Sequence, residues 1–547
     1  MRRTAQTAAE ASAAVDVSVT LPPPVRKNLD AIAGIRFGCT LWIVLEHYLC
    51  VWSYSAKEPI SLLGNLVPRG QIPVEFYIVL SGFITHYAYR SKMRSLEGEE
   101  WRKQSLKYLF KRFARCFPAY YVALFLCVAF EKWSGEWESQ GLTNEHIWLE
   151  ATWVQAWVQF MEKEQWFGLE YDPDNLRYPR GLGGVGFNPV AWTMSTLAFC
   201  WVVYPLLALL VDGVGRRFHV AGTVLLLFAC SAGAAMPYLR VFYTDPFRLN
   251  RDSEGEYGRY TSYWEIRKFP LIKLMDFAAG MALAELLMLN GGRGAKGINS
   301  WPGWRYVSDA AVLFVFFFCA CRERFNGVIK AYLDDGVSVE YMETNCPGDA
   351  TLPCEDFYGA LDLRDDTGRY PVSHIHDETY FRVNRVKWPT GPHDWRKSYE
   401  WLFEAGFLPV IMLAIYGVCA CDHWPSNWCS GGVAARVFSS EPLKSLGRDT
   451  YIVYIVHYAA YLWCMFFACK RNEGSWDGCS HALSKGDLPA YLVALWGFAF
   501  LFSRYVEGPV ARWSGRFFDA RAPGGWNWGL AHVVLICATS KTHIDWR

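Results

Sequence analysis

The sequence predicts an all-α polytopic membrane protein with about ten transmembrane helices in one bundle and a long non-cytosolic loop. Three observations support this fold class. Apolar residues, 52% of the 547, gather in blocks of roughly 15 to 22 between polar loops, a length that crosses a bilayer core. Only 20% of the residues are charged. The 26 tryptophans and 30 tyrosines suit a chain with many membrane interfaces, where such side chains concentrate.

The predicted spans lie in a single domain of residues 29–513. A disordered cytosolic tail, residues 1–28, precedes this domain, and a cytosolic or interfacial segment, residues 514–547, follows it. Residues 145–161 are amphipathic and rich in tryptophan, which favours an interfacial or re-entrant helix. In chain order the ten spans are 32–52, 74–89, 118–130, 191–211, 220–236, 271–289, 307–321, 401–421, 451–469 and 489–505.

The distribution of basic residues predicts the orientation. Residues 90–115 hold nine Lys and Arg against three Glu, whereas residues 131–190 hold four against ten Asp and Glu. Cytosolic loops carry the excess of Lys and Arg, so the 90–115 loop is expected in the cytosol, together with both termini. The opposite side then receives the long insertion of residues 322–400. The membrane is either the plasma membrane or an endomembrane, and membrane lipids are the first expected partner.

Other composition features decide less. The formal net charge of +1 and the absence of a basic tract give no sign of a nucleic-acid partner. Cys346 and Cys354, and likewise Cys469 and Cys479, are spaced so that an oxidising lumen would permit disulfides, a question that the sequence leaves open. The HIHD stretch at 374–377 is weak support for a metal site, and no metal site is predicted.

The first predicted span carries ionisable side chains into an apolar helix. Arg36 and His47 are eleven residues apart, about three helical turns, so they share one face with Thr40 between them. Their separation along the axis is roughly 16 Å, half of a bilayer core. Intramembrane ionisable groups are costly and usually face a cavity or a partner. Glu46 points about 100° away from His47 and need not be its partner.

Three further stretches carry polar groups. Glu75 enters a span that Ser81 and Gly82 interrupt, a pair suited either to close helix packing or to a direct role. Arg112 and Arg115 share a helix face at the expected cytosolic surface, which suits phosphate contacts or ordinary positive-inside anchoring equally well. A polar stripe on a late span carries a second buried histidine; its members are Thr450, Tyr454 and His457.

Together these stretches resemble the membrane acyltransferase type 3 family, which includes O-antigen and peptidoglycan O-acetyltransferases. The first helix of that family carries an arginine, ten residues and then a histidine, as from Arg36 to His47. The other matches follow in family order: VEFYIVLSGF at 74–83, RFARCFP at 112–118, DTYIVYIVH at 449–457 and an E-x-P at 507–509. No single match is specific, but the ordered set is.

One departure from the family pattern concerns an acid. The mid-chain family motif places a glutamate where NPVAWTMSTLAFCWVVYP, residues 188–205, has Leu197. If that acid orients a catalytic histidine or the acceptor, the resemblance leaves two outcomes open: loss of activity, or replacement by another acid such as Glu46 or Glu75.

The resemblance implies O-acyl transfer across a membrane, as in the O-acetylation of carbohydrates. Acetyl-CoA or another acyl-CoA would be the co-substrate, with no bound cofactor, and a glycan or small hydroxylated compound would be the acceptor. Arg36, Arg112 and Arg115 would bind the donor phosphates. His47 would act as general base, with His457 or Tyr454 orienting the acceptor or stabilising the oxyanion, and with Glu75, Ser81 and Glu46 in support. Transfer is either direct or through an acyl-histidine.

Two other functions remain open from the sequence. Buried His, Arg and Glu side chains also serve ion-coupled transporters, although the chain shows no repeated halves. Leu197 would also suit a catalytically inactive relative with a structural role.

Overall fold

A computed structural model describes residues 29–52, 67, 70–94, 96–134, 144–157, 186–239, 267–291, 301, 303–320, 406–421, 432–471 and 485–519, and these residues are almost entirely helical. Among them the chain forms thirteen α-helices: α1 (Asp30–Glu46), α2 (Gln71–Met93), α3 (Gly98–Ser134), α4 (Asn144–Ala151), α5 (Trp192–Leu239), α6 (Pro270–Gly291), α7 (Trp304–Ala320), α8 (Leu408–Cys421), α9 (Val433–Phe438), α10 (Glu441–Arg448), α11 (Thr450–Arg471), α12 (Leu488–Phe502) and α13 (Gly508–Asp519). A π-helical turn, His47–Trp52, extends α1, and another, Ser503–Glu507, joins α12 to α13.

The length and composition of several helices are consistent with a membrane protein. Within the described residues, four are long and apolar enough to cross a bilayer. A shorter apolar helix covers Leu408–Ala420. Each predicted span overlaps a helix, but the number of about ten crossings stays a prediction. The four long helices are Gly98–Ser134, Trp192–Pro237, Thr450–Ala468 and Leu488–Ser514.

The basic stretch of residues 90–115 is helical, so its prediction as a loop is wrong. α2 continues to Met93 and α3 begins at Gly98, leaving a tight turn between them. Gly98 has a φ of 53°, a left-handed conformation that glycine adopts without steric penalty. Within the first turns of α3, Glu99 forms ion pairs with Arg102 at 3.0 Å and with Lys103 at 4.0 Å. Opposite charges three and four residues apart stabilise a helix, so a stretch rich in basic residues can still be helical.

A break inside α5 separates two of the predicted spans. His219 has a φ of 51° and a ψ of −138°, which interrupts the helical path. The break falls between predicted spans 191–211 and 220–236, next to Arg216 and Arg217, and two separate crossings here stay a prediction.

Close helix crossings organise the bundle around α6, which packs against α2 and α5. A Cβ atom at Gly82 of α2 would lie 1.9 Å from the carbonyl oxygen of Phe277, and one at Gly280 of α6 would lie 1.9 Å from that of Val79. At each glycine the backbone of the other helix occupies the space that a side chain would need. The two helices therefore approach this closely only with glycine at both positions. Gly82 therefore has a packing role.

The tryptophan-rich segment folds into the bundle. α4 is followed by a turn at Trp153, whose φ is 61° and whose side chain is buried against Phe113, Phe117 and Tyr120 of α3. The prediction of an interfacial or re-entrant helix stays open, since packing against α3 is compatible with both.

Several predictions lie outside the described residues. They concern the tail 1–28, the insertion 322–400, HIHD at 374–377, Cys346, Cys354 and Cys479. The predicted domain boundary at 513 falls inside α13, because that helix continues to Asp519.

Candidate active site

The two histidines that the sequence singled out meet in the structure. His47 begins the π-helical turn after α1, and His457 lies on α11, 410 positions away along the chain. His47 Nδ1 is 2.8 Å from His457 Nε2, and the rings are nearly parallel, with centroids 5.0 Å apart and 14° between their planes. His457 is fully buried, while His47 is partly buried. A hydrogen bond thus joins the two imidazoles.

The surrounding hydrogen bonds define the tautomers of the neutral pair. His457 Nδ1 lies 2.6 Å from the carbonyl oxygen of Tyr454, and a carbonyl only accepts, so this nitrogen carries the proton. His457 Nε2 then has a lone pair and accepts from His47 Nδ1. His47 is therefore protonated on Nδ1, and its Nε2 carries the lone pair. This is the arrangement in which a second group orients a general base.

α12 also supports the position of His457. The hydroxyl of Tyr491 donates to the carbonyl oxygen of His457 at 2.6 Å. Tyr491 in turn contacts Tyr48, the residue after His47, with ring centroids 5.0 Å apart. Tyr491 thereby links the segments that carry the two histidines, and sequence reasoning did not identify it.

Tyr77 of α2 joins the histidines to Arg36. Its hydroxyl donates to the carbonyl oxygen of Arg36 at 2.5 Å and is hydrogen bonded to Thr40. Thr450 of α11 interacts with the same hydroxyl. The rings of Tyr77 and Tyr454 are 6.2 Å apart, and those of Tyr454 and His457 are 5.9 Å apart. We refer to this set as the histidine cluster: Thr40, His47, Tyr77, Thr450, Tyr454 and His457.

Tyr454 directs its hydroxyl towards the segment that begins the NPVAW stretch. The hydroxyl oxygen is 3.5 Å from the carbonyl oxygen of Val190 and interacts with Thr193. Asn188, in the same segment, donates from Nδ2 to the carbonyl oxygen of Ile455 at 2.9 Å. The segment therefore fixes the turn of α11 that carries His457.

Glu150 of α4, which sequence reasoning missed, is the acid beside this segment. Its carboxyl oxygens lie 3.3 and 3.4 Å from the backbone nitrogen of Asn188, which donates to them. α4 is not a membrane span, and burial raises the pKa of Glu150 to about 8 although backbone hydrogen bonds from Asn188 and Phe187 oppose the shift. Leu197, where the resemblance expects an acid, is partly buried in the apolar core. A carboxyl group, that of Glu150, thus lies beside the segment that begins the motif, although the motif itself has Leu197 in place of an acid.

The three arginines predicted to bind the donor lie in one region with unequal surroundings. The charges of Arg112, Arg115 and Glu507 all act on Arg36. Arg115 donates from Nε to Glu507 Oε1 at 2.8 Å, with 53% of its side chain exposed. This ion pair joins the stretches RFARCFP and E-x-P. The carboxylate of Glu507 neutralises part of the positive charge of Arg115, which the resemblance assigns to phosphate binding.

Arg112 is directed into the bundle. It donates to the hydroxyl of Thr85, a fully buried residue of α2, and its guanidinium lies 5.6 Å from the ring centre of Trp201. Its Nε is buried and has no hydrogen-bond partner within the described part of the chain. Arg112 is therefore less accessible to a large ligand than Arg115.

The contacts described for the predicted supporting residues are with groups other than the two histidines. Glu75 is buried and forms an ion pair with Lys273 of α6, which also pairs with Asp276 at 3.5 Å. Ser81 accepts a hydrogen bond from Trp201 Nε1 at 3.1 Å. The carboxyl group of Glu46 packs against Gly70, where a Cβ atom would lie 1.6 Å from Oε2. None of these contacts joins them to His47 or His457.

A second set of buried titratable groups, which we call the ion network, joins α2, α5 and α6. His86 Nε2 is 3.1 Å from Glu285 Oε2, and both residues are fully buried. Arg90 pairs with Glu285 and is 3.3 Å from Asp212. Arg94 and Arg216 reach the same Asp212 at 3.3 and 3.0 Å. Every acid in this set thus contacts a basic group.

Among the described residues no group of three or more His, Cys, Asp or Glu side chains is arranged to hold a metal ion. Comparison of the chain with protein-family models, curated proteins and solved structures found no match. The resemblance to membrane acyltransferases therefore rests on the ordered motifs, to which the structure adds the contacts between them.

Proposed function

We propose that this chain is a membrane-embedded O-acyltransferase with about ten spans and cytosolic termini, in the plasma membrane or an endomembrane. It would transfer an acyl group, acetyl in the simplest case, from cytosolic acyl-CoA to a hydroxyl group of a glycan or other acceptor on the opposite side. The observation that carries the proposal is the hydrogen bond between His47 and His457.

The tautomers suggest how the reaction would proceed. His47 Nε2 takes the proton of the acceptor hydroxyl, and the charge that develops on His47 is stabilised through Nδ1 by His457. The hydroxyl oxygen then forms a bond to the thioester carbonyl carbon. The carbon–sulfur bond breaks, and the proton on His47 Nε2 passes to the departing CoA thiolate. An acyl-histidine intermediate would use the same nitrogen as nucleophile.

The donor would lie along the face of the helix that runs from Arg36 to His47, where Tyr77 contacts both Arg36 and Thr40. Arg115, with its partly exposed guanidinium, is the donor-binding arginine that this geometry favours. The phosphates would then remain near the membrane surface while the acyl group extends towards the histidines.

The test uses purified full-length protein, labelled acetyl-CoA and a panel of hydroxylated acceptors. We expect His47→Ala to reduce acetyl transfer by about 10²- to 10⁴-fold, the usual contribution of a general base. His457→Gln retains a hydrogen-bonding side chain and should cause a smaller loss. His219→Asn, at the exposed kink of α5, should leave transfer unchanged.

The outcomes separate the open mechanisms. Near-normal transfer by His47→Ala with an unchanged thermal unfolding profile would contradict the assignment of His47 as base. Acid quenching of the wild-type protein after exposure to labelled acetyl-CoA should retain label on the protein only if an acyl-enzyme forms.

The ion network motivates a second candidate, an ion-coupled transporter, because buried ionisable groups in membrane helices often line ion pathways. Proton flux into vesicles containing the protein, abolished by Glu285→Gln, would favour that function. Absence of both flux and acyl transfer would favour an inactive relative with a structural role.

A further inference from the structure

A basic cleft lies where α2 ends and α3 begins. Its volume is about 370 Å³. Three lysines from two helices face it, with a tyrosine, a serine and a glutamine completing the wall. None of these six lining residues carries a carboxylate. We call it the lysine cleft, and it is lined by Tyr89, Ser91, Lys92, Gln104, Lys107 and Lys111.

Helical spacing explains why these lysines converge. Gln104, Lys107 and Lys111 follow at intervals of three and four residues and therefore share one face of α3. Lys107 and Lys111 are partly buried, so their aliphatic stems pack while their ammonium groups reach the cleft. Lys103, one turn before Lys107, pairs with Glu99 instead and does not line the cleft.

The position of the cleft indicates a membrane-surface ligand. The predicted span in α2 ends at Tyr89, and the apolar part of α3 follows Lys111. The cleft thus lies at the level where lipid headgroups meet water, on the side that the excess of basic residues assigns to the cytosol. Positive-inside anchoring alone would require basic residues at this level but not their convergence in a concavity.

We propose that the lysine cleft binds the phosphorylated headgroup of an anionic membrane lipid. The lysine ammonium groups supply positive charge to phosphate oxygens, and the side chains of Ser91 and Gln104 can donate further hydrogen bonds. Tyr89, with Lys92 placed 5.0 Å from its ring centre, forms the wall nearest the acyl chains. This site does not depend on the acyltransferase proposal.

The test measures binding of a fluorescent, short-chain phosphatidylinositol phosphate to the full chain in nanodiscs of neutral lipid. We expect saturable binding that Lys107→Gln combined with Lys111→Gln weakens by at least about tenfold, since each basic residue near a headgroup contributes to affinity. Arg102→Gln combined with Lys103→Gln removes the same two positive charges from the same helix outside the cleft, and should bind as the wild type does.

Two results would overturn the proposal. One is equal binding by the wild-type protein and the double variant at Lys107 and Lys111, with thermal unfolding showing both to be folded. The other is that adenosine 3′,5′-bisphosphate binds the cleft and displaces the lipid probe, because this would identify the ligand as the nucleotide of a soluble donor.

Discussion

The histidine cluster and the ion network bury polar groups in opposite ways. In the histidine cluster, between α1, α2 and α11, imidazoles and hydroxyls form hydrogen bonds to one another and to backbone carbonyls. In the ion network, between α2, α5 and α6, carboxylates pair with guanidinium groups and an imidazole. α2 contributes Tyr77 to the first and His86 to the second, so one helix serves both.

The difference makes the histidine cluster the stronger candidate for chemistry. Buried ion pairs are costly to separate, so such pairs hold helices together. A neutral imidazole pair with a defined lone pair on one ring can accept a proton there, and the hydrogen bond between the rings shares the charge that results. His47 is therefore the stronger candidate for a base than His86, although both are histidines on apolar helices.

Glu285→Ala should break the ion network and give the largest loss of stability. It would remove the acid partner of His86 and one of the two acids beside Arg90, which costs up to about 3–5 kcal/mol for a buried pair. Thermal or denaturant unfolding of purified protein would measure the loss. Glu99→Ala is the control, because its ion pairs are exposed and should contribute at most about 1 kcal/mol. Equal losses of stability in the two variants would contradict a structural role for the ion network.

The pH dependence of unfolding should single out Glu150, which borders the histidine cluster. Its pKa in the folded protein, about 8, lies above its ordinary value, so the folded state binds one more proton than the unfolded state between these values. The contribution of Glu150 to stability should therefore be fully present below an ordinary glutamate pKa and be lost as pH rises towards 8, by at most about 1.4 kcal/mol per pH unit.

Glu150→Gln should flatten that slope, since the amide stays neutral at every pH. The measurement is the free energy of unfolding of both proteins from pH 5 to pH 8.5. Parallel curves for the two proteins would show that Glu150 does not bind a proton on folding.

Arg115→Ala should have the smallest effect on stability, below about 1 kcal/mol, because its ion pair with Glu507 is partly exposed. Its effect should appear in the kinetics, as a higher KM for acyl-CoA with the KM for the acceptor nearly unchanged. Arg102→Ala, at another exposed pair on α3, is the matched control. If the KM for acyl-CoA is unchanged in Arg115→Ala, Arg115 does not bind the donor and is better explained as a basic residue that anchors the helix at the membrane surface.

Polar stripes on apolar helices were the most informative sequence feature. The stripe of Thr450, Tyr454 and His457 forms the α11 side of the histidine cluster. The same argument would have found Tyr77, which is four residues before Ser81, and Glu150, which is four residues after His146. These positions were overlooked because their partners lie on other segments, and a stripe shows only that some partner is needed.

Helix geometry and composition, both readable from the chain, determined that Arg36 and His47 share a face and that long apolar helices dominate the fold. Tertiary packing decided what each polar group meets: His457 for His47, Glu507 for Arg115, Lys273 for Glu75. The physical reason is that helical periodicity is a local property of a few turns. The identity of a buried partner depends instead on which helices pack together, and close crossings such as that of Gly82 with Gly280 set this across the whole chain.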